Sequence, residues 1–138
     1  MAEALILDSE AVAALAYPSK RAVLARRASA ILRLAHDHRA LVRVPAPVLA
    51  EVCRGTKQDA AVNLLLNNPG VRVSELTRTM AQNAGHMLAR LKLSSAHAID
   101  AFVVATALQF DTALIATGDP DDIRRLAAPF RRVGIFAL

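Results

Sequence analysis

The chain has 138 residues, of which 54% are apolar and 21% charged, with 5 Gly and 6 Pro. That is enough to bury a real core and too apolar for a disordered chain. One cysteine, Cys53, excludes an internal disulfide. The net charge of +5, mostly arginine, suits a polyanionic partner such as nucleic acid as well as it suits a plain solvated surface. No uncharged apolar run approaches the roughly 18 residues of a membrane span. Met1-Ala2-Glu3-Ala4 with Asp8 and Glu10 lacks the basic-then-apolar order of a secretory leader. The expectation is one cytoplasmic domain over residues 1–138.

Ala4 to Asp8 is a short apolar run ending in an acid and reads as a buried strand. Ser9 suits the cap of a short helix reaching Leu15, which Tyr17-Pro18-Ser19 breaks. Lys20 to His36 carries apolar residues at helical spacing. Leu41 to Val44 reads as a second strand, Pro45-Ala46-Pro47 opens a helix, and Gly55 closes it. Lys57 to Leu66 is helical up to Asn67-Asn68-Pro69-Gly70, and Val71 to Val73 is a third strand. Helices over Glu75 to Leu91 and Ser95 to Gln109 precede a fourth strand, Thr112 to Ala116. Asp119 starts a helix to Ala127, and Arg132 to Ala137 is a fifth strand. Strands separated by helices, each strand continuously apolar, predict a three-layer α/β/α sandwich around a central, mainly parallel five-stranded sheet.

Four acids stand out against this frame. Asp100 lies in Ala98-Ile99-Asp100-Ala101-Phe102-Val103-Val104, with no cation at helical neighbour positions. A lone buried carboxylate is costly unless paired, protonated or bound to metal. Asp8 ends the first strand, on the edge where open α/β sheets bind ligands. Glu51, in Val48-Leu49-Ala50-Glu51-Val52-Cys53, returns near that edge one helical turn after the second strand. Asp119 follows the fourth strand; alone it would suit a helix cap, with Pro120 and Asp122 completing a favoured helix start. A parallel sheet lets all four acids converge. Two carboxylates about 4 Å apart repel by roughly 4 kcal/mol at an effective dielectric near 20. Without a neighbouring lysine or arginine, an oxygen-only cluster suits a hard divalent cation, magnesium or manganese.

Leu5-Ile6-Leu7-Asp8-Ser9, Ala50-Glu51-Val52 with Gly55, His97-Ala98-Ile99-Asp100-Ala101 running to Leu108, and Thr117-Gly118-Asp119-Pro120-Asp121-Asp122 resemble, in order and spacing, the PIN-domain pattern. Each motif is weak alone; four in order across nearly the whole chain are specific. With this size, the chain most resembles the VapC toxins of toxin–antitoxin pairs. The resemblance places the family's acids on Asp8, Glu51, Asp100 and Asp119, with a further acid on Asp122. Ile123 stands where many members carry an aromatic, and His97 where an apolar or small residue is more usual.

The resemblance implies a magnesium-dependent endoribonuclease. Asp8, Asp100 and Asp119 would hold one or two Mg2+ (or Mn2+) ions, with Glu51 as ligand or orienter of water, and Asp122 a further candidate ligand. Cleavage would leave a 5′-phosphate and a 3′-hydroxyl. It also implies an RNA substrate, a cognate antitoxin and a homodimer.

Lys20, Arg21, Arg26, Arg27, Arg33, Arg54 and Lys57 are candidate phosphate contacts, or else a solvated helix face. His97, three residues before Asp100, stands within reach of the acids, whereas His36 and His38 suit a helix carboxyl end. Cys53 suits core packing. Two other readings stand beside the nuclease. A phospho-accepting receiver fits poorly, because only Asp8 closely follows the first strand and the third ends in Val73-Ser74-Glu75. A catalytically silent PIN-type module that binds RNA or protein keeps the same acids.

Overall fold

The computed structural model describes residues 1–138. The chain runs β1 (Ala4–Leu7), α1 (Ser9–Ala16), α2 (Ala22–Asp37), β2 (Leu41–Pro45), a 3-10 turn (Ala46–Val48), α3 (Leu49–Val52), α4 (Asp59–Leu66) and β3 (Val71–Ser74). It continues through α5 (Arg78–Arg90), a second 3-10 turn (Ser95–His97), α6 (Ala98–Ala107), β4 (Ala113–Thr117), α7 (Pro120–Ala127) and β5 (Val133–Ala137).

The five strands form one sheet in the order β3-β2-β1-β4-β5, and every pairing is parallel. The apolar run at the start of the chain becomes the central strand: Ala4, Leu5, Ile6 and Leu7 are wholly buried. A strand covered on both faces has no polar side to alternate with, which is why its sequence shows no alternation. From β1 the chain steps outward to β2 and β3, then returns to the other side of β1 to lay down β4 and β5. Right-handed crossovers turn that reversal into two helical layers, α1 to α4 over one face and α5 to α7 over the other. Packing follows suit: α1 lies against α2 and α4, and α6 lies against α5 and α7. The three-layer sandwich expected from the sequence is the architecture found.

The reversal creates a switch point between β1 and β4, and crevices at the carboxyl ends of parallel strands open there. Register sets what meets in it. Leu7 pairs with Ala116 and Ile6 with Arg43, so Asp8 lies beside Thr117 and level with Pro45. The Asp8 N–H donates to the Ala116 carbonyl at 3.2 Å, so the pairing reaches the acid itself.

Several helices begin or end away from their expected limits. The helix expected from Glu75 starts at Arg78, because the Thr77 hydroxyl accepts the Met80 N–H at 3.2 Å and caps it there. The helix expected from Ser95 opens as a 3-10 turn capped by Ser94, with α6 proper from Ala98. Likewise α2 begins at Ala22 and α4 at Asp59, not at Lys20 and Lys57. The segment after Pro45 is divided between a 3-10 turn and the short α3, which stops at Val52 because Cys53 is extended. Gly55, at φ +70°, serves the following loop, where Asp59 accepts the Arg54 and Gly55 N–H groups at 2.9 and 2.8 Å.

Gly118, just beyond β4, packs on α1. A Cβ there would sit 2.5 Å from both Cβ and Cγ of Glu10. Gly118→Ala should therefore destabilise the protein by about 1–3 kcal/mol, the usual cost of overpacking. Urea unfolding measures this, and an unchanged midpoint would show that the contact yields freely.

Candidate metal centre

Asp8, Ser9, Glu10, Glu51, Asp100 and Asp119 line a cavity of about 160 Å3 at the switch point. The carboxylates arrive on different elements: Asp8 directly after β1, Glu51 on α3, Asp100 in the first turn of α6 and Asp119 just ahead of α7. All four acids singled out in the sequence thus face one space. No lysine or arginine lines it, and none of the four acids is in an ion pair. Larger clefts exist elsewhere, such as one of about 510 Å3 between α5 and Phe130, but none collects carboxylates.

Asp8 is the most constrained. It is 4% exposed. Its Oδ1 accepts the Ala11 N–H at 2.9 Å and its Oδ2 the Gly118 N–H at 3.2 Å. Asp8, not Ser9, therefore caps α1, which corrects the sequence expectation. Ser9 is the first helical residue, and its hydroxyl donates to Glu51 Oε1 at 2.6 Å. The role expected of Asp119 also changes: it occupies the cap position of α7 but makes no side-chain cap bond. Its N–H donates to the Thr117 hydroxyl at 2.9 Å, and its carboxylate lines the cavity beside Asp122.

Burial pushes the Asp8 carboxyl above its usual range, although hydrogen bonds from Thr117, Ala11 and Gly118 pull the other way. Asp100 is pushed up to about 6, first by burial and then by the charges of Asp119, Asp8, Asp122 and Glu51. Asp119 is exposed as a residue, yet its carboxyl is raised too, by local burial first and then by Asp122. Each shift has the sign expected of carboxylates that lack countercharge. An all-oxygen donor set with that deficit fits a hard divalent cation.

Asp122 stands at the margin. One of its oxygens lies 3.8 Å from His97 Nδ1, the other 3.8 Å from Arg125 Nη1. His97, Asp100 and Asp122 can bring one ligand atom each to within 4.8 Å of one another. Sequence reasoning missed Ser9 as the anchor of Glu51 and Thr117 as a donor to Asp8. Both lie inside the quoted motifs, but nothing in their residue type distinguishes a site hydroxyl from a capping one.

The candidate phosphate contacts divide. Arg21 is paired with Glu10 at the cavity edge. Arg26 and Arg33 line a cleft on α2, Lys20 lies over the Tyr17 ring, and Lys57 is exposed. Arg27 donates twice to the Ala137 carbonyl and lies over Phe136, so it ties α2 to β5. Arg54 donates to the Ala50 and Cys53 carbonyls at the end of α3.

Residues 5–129 match the PIN domain family. The chain is a member of that family. PIN domains are generally metal-dependent nucleases, and the match spans all four carboxylates of the cavity. No curated protein matches the sequence.

Asp8 couples the PIN cavity to helix formation, and two variants separate these roles. Asn caps as well as Asp, whereas Ala forfeits the cap, so Asp8→Ala should be less stable than Asp8→Asn by about 1 kcal/mol. Equal stability in chemical denaturation would remove the capping role. A second consequence concerns pH. Because folding raises the Asp100 pKa to about 6 from an ordinary 3.8, between those pH values the folded state holds a proton that the unfolded chain has released. Stability contributed by that proton is present at acid pH and is lost as pH rises through 6. In EDTA the protein should melt lower at pH 7.5 than at pH 5.5, and Asp100→Asn should flatten that slope. An identical slope in the variant would contradict the assignment.

Proposed function

We propose that this chain is a divalent-metal-dependent endoribonuclease whose machinery is Asp8, Glu51, Asp100 and Asp119. One observation carries the reading: carboxylates from four separated stretches of sequence share one small cavity with no cation among them. Asp8, Asp100 and Asp119 would hold Mg2+ (or Mn2+), with Glu51 as an additional ligand or as the group that orients water. A divalent ion bound there supplies countercharge to the phosphoryl oxygens and acidifies water.

The chain's own residues supply position. Two backbone N–H groups fix Asp8, and the Ser9 hydroxyl holds Glu51 at the mouth of the cavity, where it can take a proton from a water beside the scissile phosphate. Arg21, paired with Glu10 on the cavity wall, is placed to steer a phosphate chain. Lys20, Arg26, Arg54 and Lys57 extend that footprint, while Arg27 acts mainly by tying α2 to β5. The products would be a 5′-phosphate and a 3′-hydroxyl.

We read the chain further as the toxin of a toxin–antitoxin pair, acting in the cytoplasm as a homodimer. The support is the resemblance in motif order and size, together with an acidic cavity that a basic segment of an antitoxin could fill. No helix is long and apolar enough to cross a membrane.

Cleavage of total RNA should stop in EDTA and return with added Mg2+. Asp100→Asn should cut at least about 100-fold more slowly while remaining folded, within the range of losses for groups acting on the transition state. Undiminished cutting in EDTA excludes the mechanism. Metal binding without any cutting would leave a silent binding module.

A further inference from the structure

We propose that His97, together with Asp100 and Asp122, forms a mixed nitrogen–oxygen site for a divalent transition ion such as Mn2+, beside the all-oxygen cluster of Asp8, Glu51, Asp100 and Asp119. The proposal rests on the metal-dependent reading of that cluster, because Asp100 belongs to both.

Geometry carries it. The ligand atoms of His97, Asp100 and Asp122 fall within 4.8 Å of one another. His97 Nδ1 and Asp122 Oδ2 are 3.8 Å apart, too far for a hydrogen bond. That spacing lies between the two separations that ligands of one octahedral ion show, so a small side-chain rotation brings the pair onto a common ion. At bond lengths of about 2.1 Å they are separated by about 3 Å when adjacent and about 4.2 Å when opposite. The two Asp side chains leave the first turns of α6 and α7, while His97 occupies the position before α6. These two helices pack against each other, so the three side chains are presented by one rigid corner of the fold.

The one polar side-chain partner of His97 is Asp122. The His97 side chain makes no cap bond to α6, and it is half-buried at 32% exposure. Arg125 pairs with the other Asp122 oxygen at 3.8 Å, and Oδ2 is the oxygen that faces His97. Chemistry then sets the preference. Magnesium favours oxygen, whereas an imidazole ligand favours manganese and the later first-row ions. His97 thus becomes a residue that selects among metals for the cavity next to it.

The test is binding of Mn2+ and Mg2+ to the intact protein by calorimetry, with spin-echo spectroscopy of the Mn2+ complex. Wild type should show modulation from a directly bound imidazole nitrogen. His97→Ala should lose it and bind Mn2+ at least about tenfold more weakly, since even partners outside the ligand shell contribute about 10–100-fold. Its Mg2+ affinity should stay within about twofold. His97→Gln guards against a local packing effect, and should also lack the nitrogen signal. Unchanged Mn2+ affinity in both variants, or a nitrogen signal that survives them, overturns the proposal. If it fails while wild type still cuts RNA with Mg2+, the nuclease reading stands alone. If the nitrogen signal depends on His97 and no RNA is cut, the site stands and the nuclease reading falls.

Discussion

The constraint on which the structure turns is the gathering of like charges at the carboxyl edge of a buried parallel sheet. Carboxylates are ordinarily kept apart or paired. Here they are crowded, partly desolvated and left without a cation, to the point that Asp100 is pushed up to about 6. Folding stability elsewhere must cover this cost. The wholly buried β1 and the apolar α6, whose Ala101, Val103, Val104, Ala105 and Ala107 are all buried, supply the rigid frame that holds the acids together. Such concentration of perturbed carboxyl groups marks a functional site more often than a structural one.

Topology explains why residues so far apart in sequence meet. The strand order reverses at β1, which has β2 on one side and β4 on the other. Each acid follows one of these three central strands or enters beside them on α6. Local contacts then trim the geometry: the Asp8 cap on α1, the Ser9 bond to Glu51, and the close approach of Gly118 to Glu10. The carboxylate that caps α1 also lines the cavity, so the helix start and the site share one side chain.

Much of this was legible in the residues. Continuous apolar runs such as Leu5-Ile6-Leu7 announce strands covered on both faces, and an Asp100 without a cation at helical spacing singles out the carboxylate that the fold brings into the cavity. Helix limits were less legible, because the caps at Thr77 and Ser94 compete with equally plausible starts nearby. The Asp8-Ser9 pair was misassigned for a similar reason. Both residue types cap helices, and only the register of β1 against β4 decides which one reaches Ala11. Asp119 was ambiguous alone, since Asp followed by Pro is as good a helix start as a ligand, and only the joint pattern of four acids singled it out. In the structure its carboxylate lines the cavity. His97 and Asp122 were candidates from their spacing and motif, but their approach to each other needed the packing of α6 on α7, a long-range fact.

Thermal melting of the metal-free protein against divalent ion addresses the central claim most directly. At pH 7.5, saturating Mg2+ should raise the melting temperature by several degrees, consistent with roughly 2.7 kcal/mol at a hundredfold excess over the dissociation constant. That gain should shrink sharply in Asp100→Asn, whose metal-free form is already relieved of repulsion. A melting temperature that ignores Mg2+ and Mn2+ alike would contradict the account, leaving the crowded carboxylates without the ion that explains them.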